Sequence, residues 1–341
     1  MDRAVLSVRV SWSLLRRPLA WLLAAAGGAL VAGILVALVS WGAFVRGQLP
    51  NWESALLRYQ IDKLEAAAPA DVVLVGDSSL GNAIDARRWS EALDRPVLSL
   101  ALSGDFGYAG SLNMLRRTLE RWTPKLVVVM HTADIATRPV PYWSRLVTAP
   151  SLRDIDPRAL IPGLYQLYRS QALVDLLKDE PPDRDAGATF AARDYVGQGT
   201  SLADIGGRAL DGRDRLLRHG PRDGNEHDLA ALGELCREHG IACVYATGPL
   251  VEPLCSESVP LLRKTAAIVD ASGLRPLPGA PVCIPLTAVG DAADHVAPRF
   301  REQFSDRYLA LLEASGALAA LDDGRLPETA NWAGAGGDPP S

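Results

Sequence analysis

The chain has 341 residues and a formal net charge of −5, enough length for one large domain plus an anchor. Residues 1–46 hold five Arg and one Asp, so they carry +4 and the remainder carries −9. A domain that acidic repels a phosphate backbone, which excludes nucleic acid as a natural partner.

Pro18 to Val45 contains no charged side chain. That run exceeds the roughly 20 apolar residues that span a bilayer. Trp21 and Trp41 lie twenty residues apart, about 30 Å at about 1.5 Å per residue, so both fit the interfacial belts. A cleaved signal peptide is the competing reading, but its apolar core is usually only about 7–15 residues. The expectation is a cytoplasmic N-terminus over 1–17 and a transmembrane helix over 18–45. Arg3, Arg9, Arg16 and Arg17 precede the run, against Arg46, Arg58 and Lys63 close behind it. This bias places the N-terminus inside and the main domain outside, on the periplasmic side of an inner membrane. Ala25, Ala29 and Gly33 form a small-xxx-small series suited either to helix packing or to lipid.

Beyond the anchor, residues 51–66 read as a helix leading into the domain. Short apolar runs at 71–75, 96–100, 126–130, 241–246 and 282–285 read as strands. Helical patterns fall between them at about 85–94, 108–122, 226–239 and 257–271, with another at 298–321. In the second of these, Leu112, Leu115, Leu119 and Trp122 recur at helical spacing and mark a buried face. Strands alternating with helices predict a parallel sheet covered on both sides, a three-layer α/β/α sandwich. The alternation breaks over 137–225, which reads as a helical insertion over the active edge of a domain spanning 46–321. The tail 322–341 is rich in Gly, Pro and Ala and reads as disordered.

Four cysteines occur: Cys236, Cys243, Cys255 and Cys283. Their spacing matches no common zinc pattern. Cys236 on a helix face and Cys243 in a strand read as buried thiols. Cys255 and Cys283 flank a helical segment and are open to pairing in an oxidising compartment.

Residues 71–82, Asp-Val-Val-Leu-Val-Gly-Asp-Ser-Ser-Leu-Gly-Asn, carry the strongest functional signal. The Val72–Val75 strand ends in Gly76-Asp77-Ser78, and Gly76 permits a tight turn. The Ser78 hydroxyl is thereby delivered to the carboxyl edge of the sheet, where open α/β folds bind ligands. A serine there is a candidate nucleophile if a histidine and a carboxylate reach it. Of five histidines, His219 and His227 lie in or beside the polar insertion, and His239 suits a helix C-terminus. His131 follows the third strand and so also sits at the carboxyl edge. His295 lies in Gly290-Asp291-Ala292-Ala293-Asp294-His295, between the last strand and the last helix, with carboxylates beside it.

These blocks resemble the SGNH/GDSL hydrolase superfamily over about half the chain, residues 68–135 and 226–321. The resemblance implies Ser78 as nucleophile and His295 as base. In Leu100-Ala101-Leu102-Ser103-Gly104 it implies Gly104 as an oxyanion donor, beside the Ser78 N–H. Two features depart from the family pattern. The position three residues before the histidine is Ala292, so the orienting carboxylate falls to Asp291, with Asp294 as the less favoured choice. The third block reads His131-Thr132-Ala133-Asp134, where the family usually has Gly-x-Asn-Asp. Ala133 has no side-chain donor, and His131, Thr132 and Asn82 are the replacement candidates; Asp134 completes the block. By resemblance, the chain is expected to be a membrane-anchored serine esterase or O-acetyltransferase acting on a cell-envelope polysaccharide, beside a membrane-bound O-acyltransferase. Such chemistry requires no metal or organic cofactor. The alternatives are a catalytically impaired binding or assembly subunit, and a lipolytic enzyme. The latter would use apolar residues of the insertion such as Tyr142, Trp143, Leu164, Tyr165 and Tyr168.

Overall fold

The structure is a computed structural model that describes residues 12–48, 52–139, 141–169 and 225–323. It is α/β, with an N-terminal apolar helix and a five-stranded parallel sheet. Most of the 137–225 insertion and nearly all of the 322–341 tail lie outside the described residues, as do His219 and the side chain of Tyr168.

Helix α1 (Trp12–Val45) is long and apolar enough over Ala20–Val45 to cross a membrane, or to be a signal sequence. Its two halves differ. Trp21, Leu22, Leu30, Val31 and Leu35 are exposed, whereas Ala37, Ser40, Ala43 and Phe44 are buried against the domain. Helix α2 (Trp52–Ala66) follows and buries Leu56, Leu57, Ile61 and Leu64. Its Gln60 Nε2 donates to the Ala101 carbonyl at 2.8 Å, tying it to the sheet.

The central strands are β1 (Val72–Gly76), β2 (Val97–Ala101), β3 (Leu126–His131) and β4 (Ala242–Thr247). Every residue of β1 and β3 is buried. This accounts for their continuous apolar runs in place of polar alternation, since both faces of each strand are covered. The order in the sheet is β2-β1-β3-β4-β6, with β6 at Arg275–Pro276, all parallel. Strand order therefore reverses direction between β1 and β3. The chain leaves those two strands in opposite directions, which opens a crevice at their carboxyl ends. The helices α4 (Ala86–Leu93), α5 (Gly107–Leu119) and α8 (Asn225–Glu238) connect or follow these strands. Two further helices, α6 (Tyr142–Val147) and α7 (Pro157–Arg169), lie after β3.

The fifth strand is not the one the sequence pattern predicts. Beyond β4 come β5 (Leu250–Val251), α9 (Glu252–Glu257), α10 (Val259–Ala271), β6 (Arg275–Pro276) and β7 (Cys283–Ile284). The strand that joins the main sheet is β6, pairing Arg275 with Val244. β7 instead pairs with β5 in a separate two-stranded sheet. The physical reason is that α10 ends against α8, where a Cβ on Gly233 would lie 1.8 Å from the Ser272 carbonyl oxygen. A turn at Gly273, in the left-handed region at φ 79°, returns the chain to the β4 edge two residues later. Of the apolar run at 282–285 only Ile284 is fully buried, paired with Val251, and burial by itself does not identify a sheet partner. Helices α11 (Arg301–Ala314) and α12 (Ala320–Asp323) close the described chain.

The cysteine expectation needs one correction. Cys236 and Cys243 are buried, but they are bonded to each other, with Cα atoms 6.2 Å apart. Gly240 turns the chain between α8 and β4 at φ 64°, which sets the last turn of the helix against the start of the strand. Cys255 and Cys283 form the second disulfide, joining α9 to β7.

Candidate active site

Ser78 is the first residue of α3 (Ser78–Ala83), directly after β1. The turn that delivers it depends on Asp77, which is buried and caps the helix. One carboxylate oxygen accepts from Ser79 N at 2.9 Å and from Ser79 Oγ at 2.6 Å. The other accepts from Thr132 N at 2.9 Å, stitching the elbow to the end of β3. Leu80 and Gly81 donate their amides to the Asp77 carbonyl. The Ser78 N–H takes no part in this cap, and the first amides of a helix have no intrahelical acceptor. Gly76 serves close approach rather than a left-handed turn. A Cβ there would lie 1.9 Å from the Met130 carbonyl oxygen, so only glycine lets β1 and β3 meet at this point.

His295 reaches Ser78 from 217 residues away: its Nε2 lies 2.8 Å from Ser78 Oγ. On the other side of the ring, Nδ1 lies 2.6 Å from Asp291 Oδ1. The three side chains thus form a continuous chain of hydrogen bonds, hydroxyl to imidazole to carboxylate. The loop that carries the last two is clipped at its neck. Val289 bridges Val296, Gly290 N donates to the His295 carbonyl at 2.7 Å, and Ala297 N donates to Ala288 at 2.9 Å. Within the loop His295 N donates to Ala292 O at 3.0 Å, an arrangement that turns positions 291 and 295 toward each other. Val251 N of β5 donates to Ala293 O at 2.8 Å and braces it from beneath. Asp294 is buried, with Oδ1 3.9 Å from Nε2, on the Ser78 side of the ring and not at Nδ1.

The remaining residues singled out in the sequence are placed as follows. Gly104 opens the turn after β2, on the same carboxyl edge as Ser78, since β1 and β2 pair Gly76 with Ala101. Asn82 is fully buried one helical turn after Ser78. Thr132 is committed to Asp77 through its backbone amide. His131 is fully buried and turned into the core: Nε2 lies 3.0 Å from Ser111 Oγ, and the ring packs edge-on to Tyr108 and stacks with Tyr245. Burial holds its pKa below the ordinary value of 6.5, opposed by the nearby Asp77 carboxylate. Burial likewise raises both tyrosines and keeps their hydroxyls protonated.

Asp134 leads to a residue the sequence did not single out. Its Oδ1 accepts from Arg138 Nη2 at 3.0 Å. The Arg138 guanidinium lies against Gly104, where a Cβ would come within 2.3 Å of Nη1. Burial opposes its charge, but Asp134, Asp77 and Asp294 outweigh that effect and raise its pKa, so it is always a cation. The Asp134–Arg138 spacing of i, i+4 was the available signal, though it commonly marks an ordinary surface pair. Among the described residues no group of three or more His, Cys, Asp or Glu side chains is placed to hold a metal ion.

No protein-family model, curated protein or solved structure matches the chain.

Proposed function

We propose that the chain is a serine esterase or O-acyltransferase of the SGNH/GDSL type, tethered by α1 to the membrane that it spans. The observation that carries this reading is the Asp291–His295–Ser78 hydrogen-bond chain at the carboxyl edge of a parallel sheet. It has the geometry of an activated nucleophile: hydroxyl within reach of a base, base held by a third group. The strand order and the full burial of β1 and β3 support a three-layer sandwich of that family's kind.

In this mechanism His295 Nε2 takes the Ser78 proton as Oγ attacks the acyl carbonyl. Asp291 accepts the Nδ1–H bond, fixing the tautomer and stabilising the imidazolium that forms. The tetrahedral oxyanion is held by the Ser78 and Gly104 N–H groups. Arg138, seated against Gly104, supplies positive charge where Ala133 offers no donor. The imidazolium then gives its proton to the leaving alcohol. Water or a sugar hydroxyl, deprotonated by the same histidine, releases the acyl group from Ser78.

A tethered outward domain suits acylated glycans of the cell envelope as substrate, and the resemblance implies a membrane-bound O-acyltransferase as acyl source. Two disulfides support an oxidising compartment outside the cytoplasm. So does the excess of arginine ahead of α1. A second reading, a binding or assembly subunit without turnover, is favoured by Ala133.

A fluorophosphonate probe on the full chain separates the two. Catalysis predicts covalent labelling that is abolished in Ser78→Ala and lowered about 10²–10⁴-fold in rate in His295→Ala. Absence of serine-dependent labelling, with no release of acetate from a small acetyl ester, leaves the binding subunit.

A further inference from the structure

Helix α1 does not simply end at the domain; its last turns are part of it. Phe44 packs on Phe106 and Trp143, with ring centroids 6.3 and 5.3 Å away. Ser54 Oγ donates to the Phe44 carbonyl at 2.7 Å, and Trp41 Nε1 donates to the Leu146 carbonyl at 3.1 Å. Ser54 belongs to α2, and the other residues touched belong to the turn after β2 and to α6, which follow strand ends on the carboxyl edge that carries Ser78. Cleavage behind α1 would remove Ala43 and Phe44 from the core, so the helix is built to stay.

A bilayer of about 30 Å takes up about twenty helical residues. Counted from Trp21, that length ends at Trp41, the residue bonded to α6. The surface of α6 and α7 beside α1 is therefore level with the membrane boundary. Helix α7 packs against both α1 and α6. One face of it, Ala159, Gly163 and Leu167, is buried. The other face is apolar and bare: Leu160 is 42 %, Ile161 78 % and Tyr165 59 % exposed, and Leu152 just before the helix is 70 % exposed. Arg153 and Arg158 are exposed beside them. Apolar residues with flanking arginines are the composition of a helix that lies in a bilayer interface. α7 packs directly on α1, whose own exposed apolar residues require lipid when it spans the bilayer, and that adjacency commits the bare face to lipid.

We propose that α7 lies in the interface of the membrane that α1 spans, with Leu160, Ile161, Tyr165 and Leu152 in the headgroup–acyl boundary. The inference rests on the reading of α1 as a span. It gives the domain two attachments, a transmembrane helix and an interfacial one, and so fixes the tilt of the Ser78 edge over the bilayer.

The test uses the full chain reconstituted in phosphatidylcholine–phosphatidylglycerol vesicles, with nitroxide labels on single cysteines. The four native cysteines are all in disulfides and do not react. Ile161→Cys and Leu152→Cys probe the interface, Leu30→Cys the span, and Arg237→Cys the far, amino edge of the sheet. Collisional accessibility to oxygen and to a water-soluble nickel chelate reports depth. The expected result is a several-fold higher oxygen-to-nickel ratio at 161 and 152 than at 237, and a higher one still at 30. If 30 is in lipid but 161 and 152 match 237, the interfacial helix is overturned and the span stands. If 30 also matches 237, the span fails and the interfacial helix with it.

Discussion

Ser78 stands on the first turn of a helix whose cap, Asp77, is buried and takes three side-chain hydrogen bonds. His295 stands in an irregular loop held by backbone bonds at its neck and by β5 beneath it. The elbow is local: its partners are residues 79 to 81 and the adjoining end of β3. The loop depends on distant pieces, since β5 is held by β7 and the Cys255–Cys283 disulfide ties α9 to β7. A nucleophile fixed by secondary structure thus faces a base fixed by tertiary structure, and damage to each side should read out differently.

The largest effect is expected on the loop side, in activity and not in stability. Asp291→Asn removes the carboxylate that holds Nδ1–H and should lower the turnover of an acetyl ester by about 10²–10⁴-fold, with the melting temperature little changed. Asp294→Asn, on the Nε2 side of the ring, should cost less than tenfold. Equal losses in the two variants, measured as kcat/KM, would remove Asp291 from its special position.

The elbow side should fail through folding. Asp77→Ala leaves the Thr132 amide buried without its acceptor and removes the α3 cap, a loss of about 2 kcal/mol. Denaturant unfolding in detergent micelles measures it. Asp77→Asn keeps a side-chain oxygen and should recover about half. A full loss of Ser78 labelling with unchanged stability would instead make Asp77 part of the chemistry.

The smallest effect concerns His131, behind the elbow. Its folded pKa lies below 6.5, so the unfolded chain binds more protons as pH falls through that value. Stability contributed by the neutral ring is full above about 6.5 and is lost below it, by at most about 1.4 kcal/mol per pH unit for one proton. His131→Gln keeps a polar partner for Ser111 and should flatten the acid limb of a melting-temperature profile. An unchanged profile would place the acid sensitivity elsewhere.

Much of the frame is legible in the residues. The apolar runs read at 71–75, 96–100, 126–130 and 241–246 are strands displaced by a residue or so, because each is largely buried and shows no competing period. The 282–285 run was read by the same rule and assigned to the wrong sheet, because apolarity reports burial and carries no address. Arg138 escaped notice for a related reason. Only the fold brings it onto Gly104, across 34 positions of chain.

The sequence by itself determined the long apolar N-terminal helix and the four core strands, since these follow from local composition. Tertiary structure alone decided that Cys236 and Cys243 pair and that β6 and not β7 completes the sheet, and it brings about the meeting of Asp291 and His295 with Ser78 that the resemblance implies. Each is a meeting of segments, set by helix lengths and turn geometry summed over many residues, and no short window of sequence contains that sum.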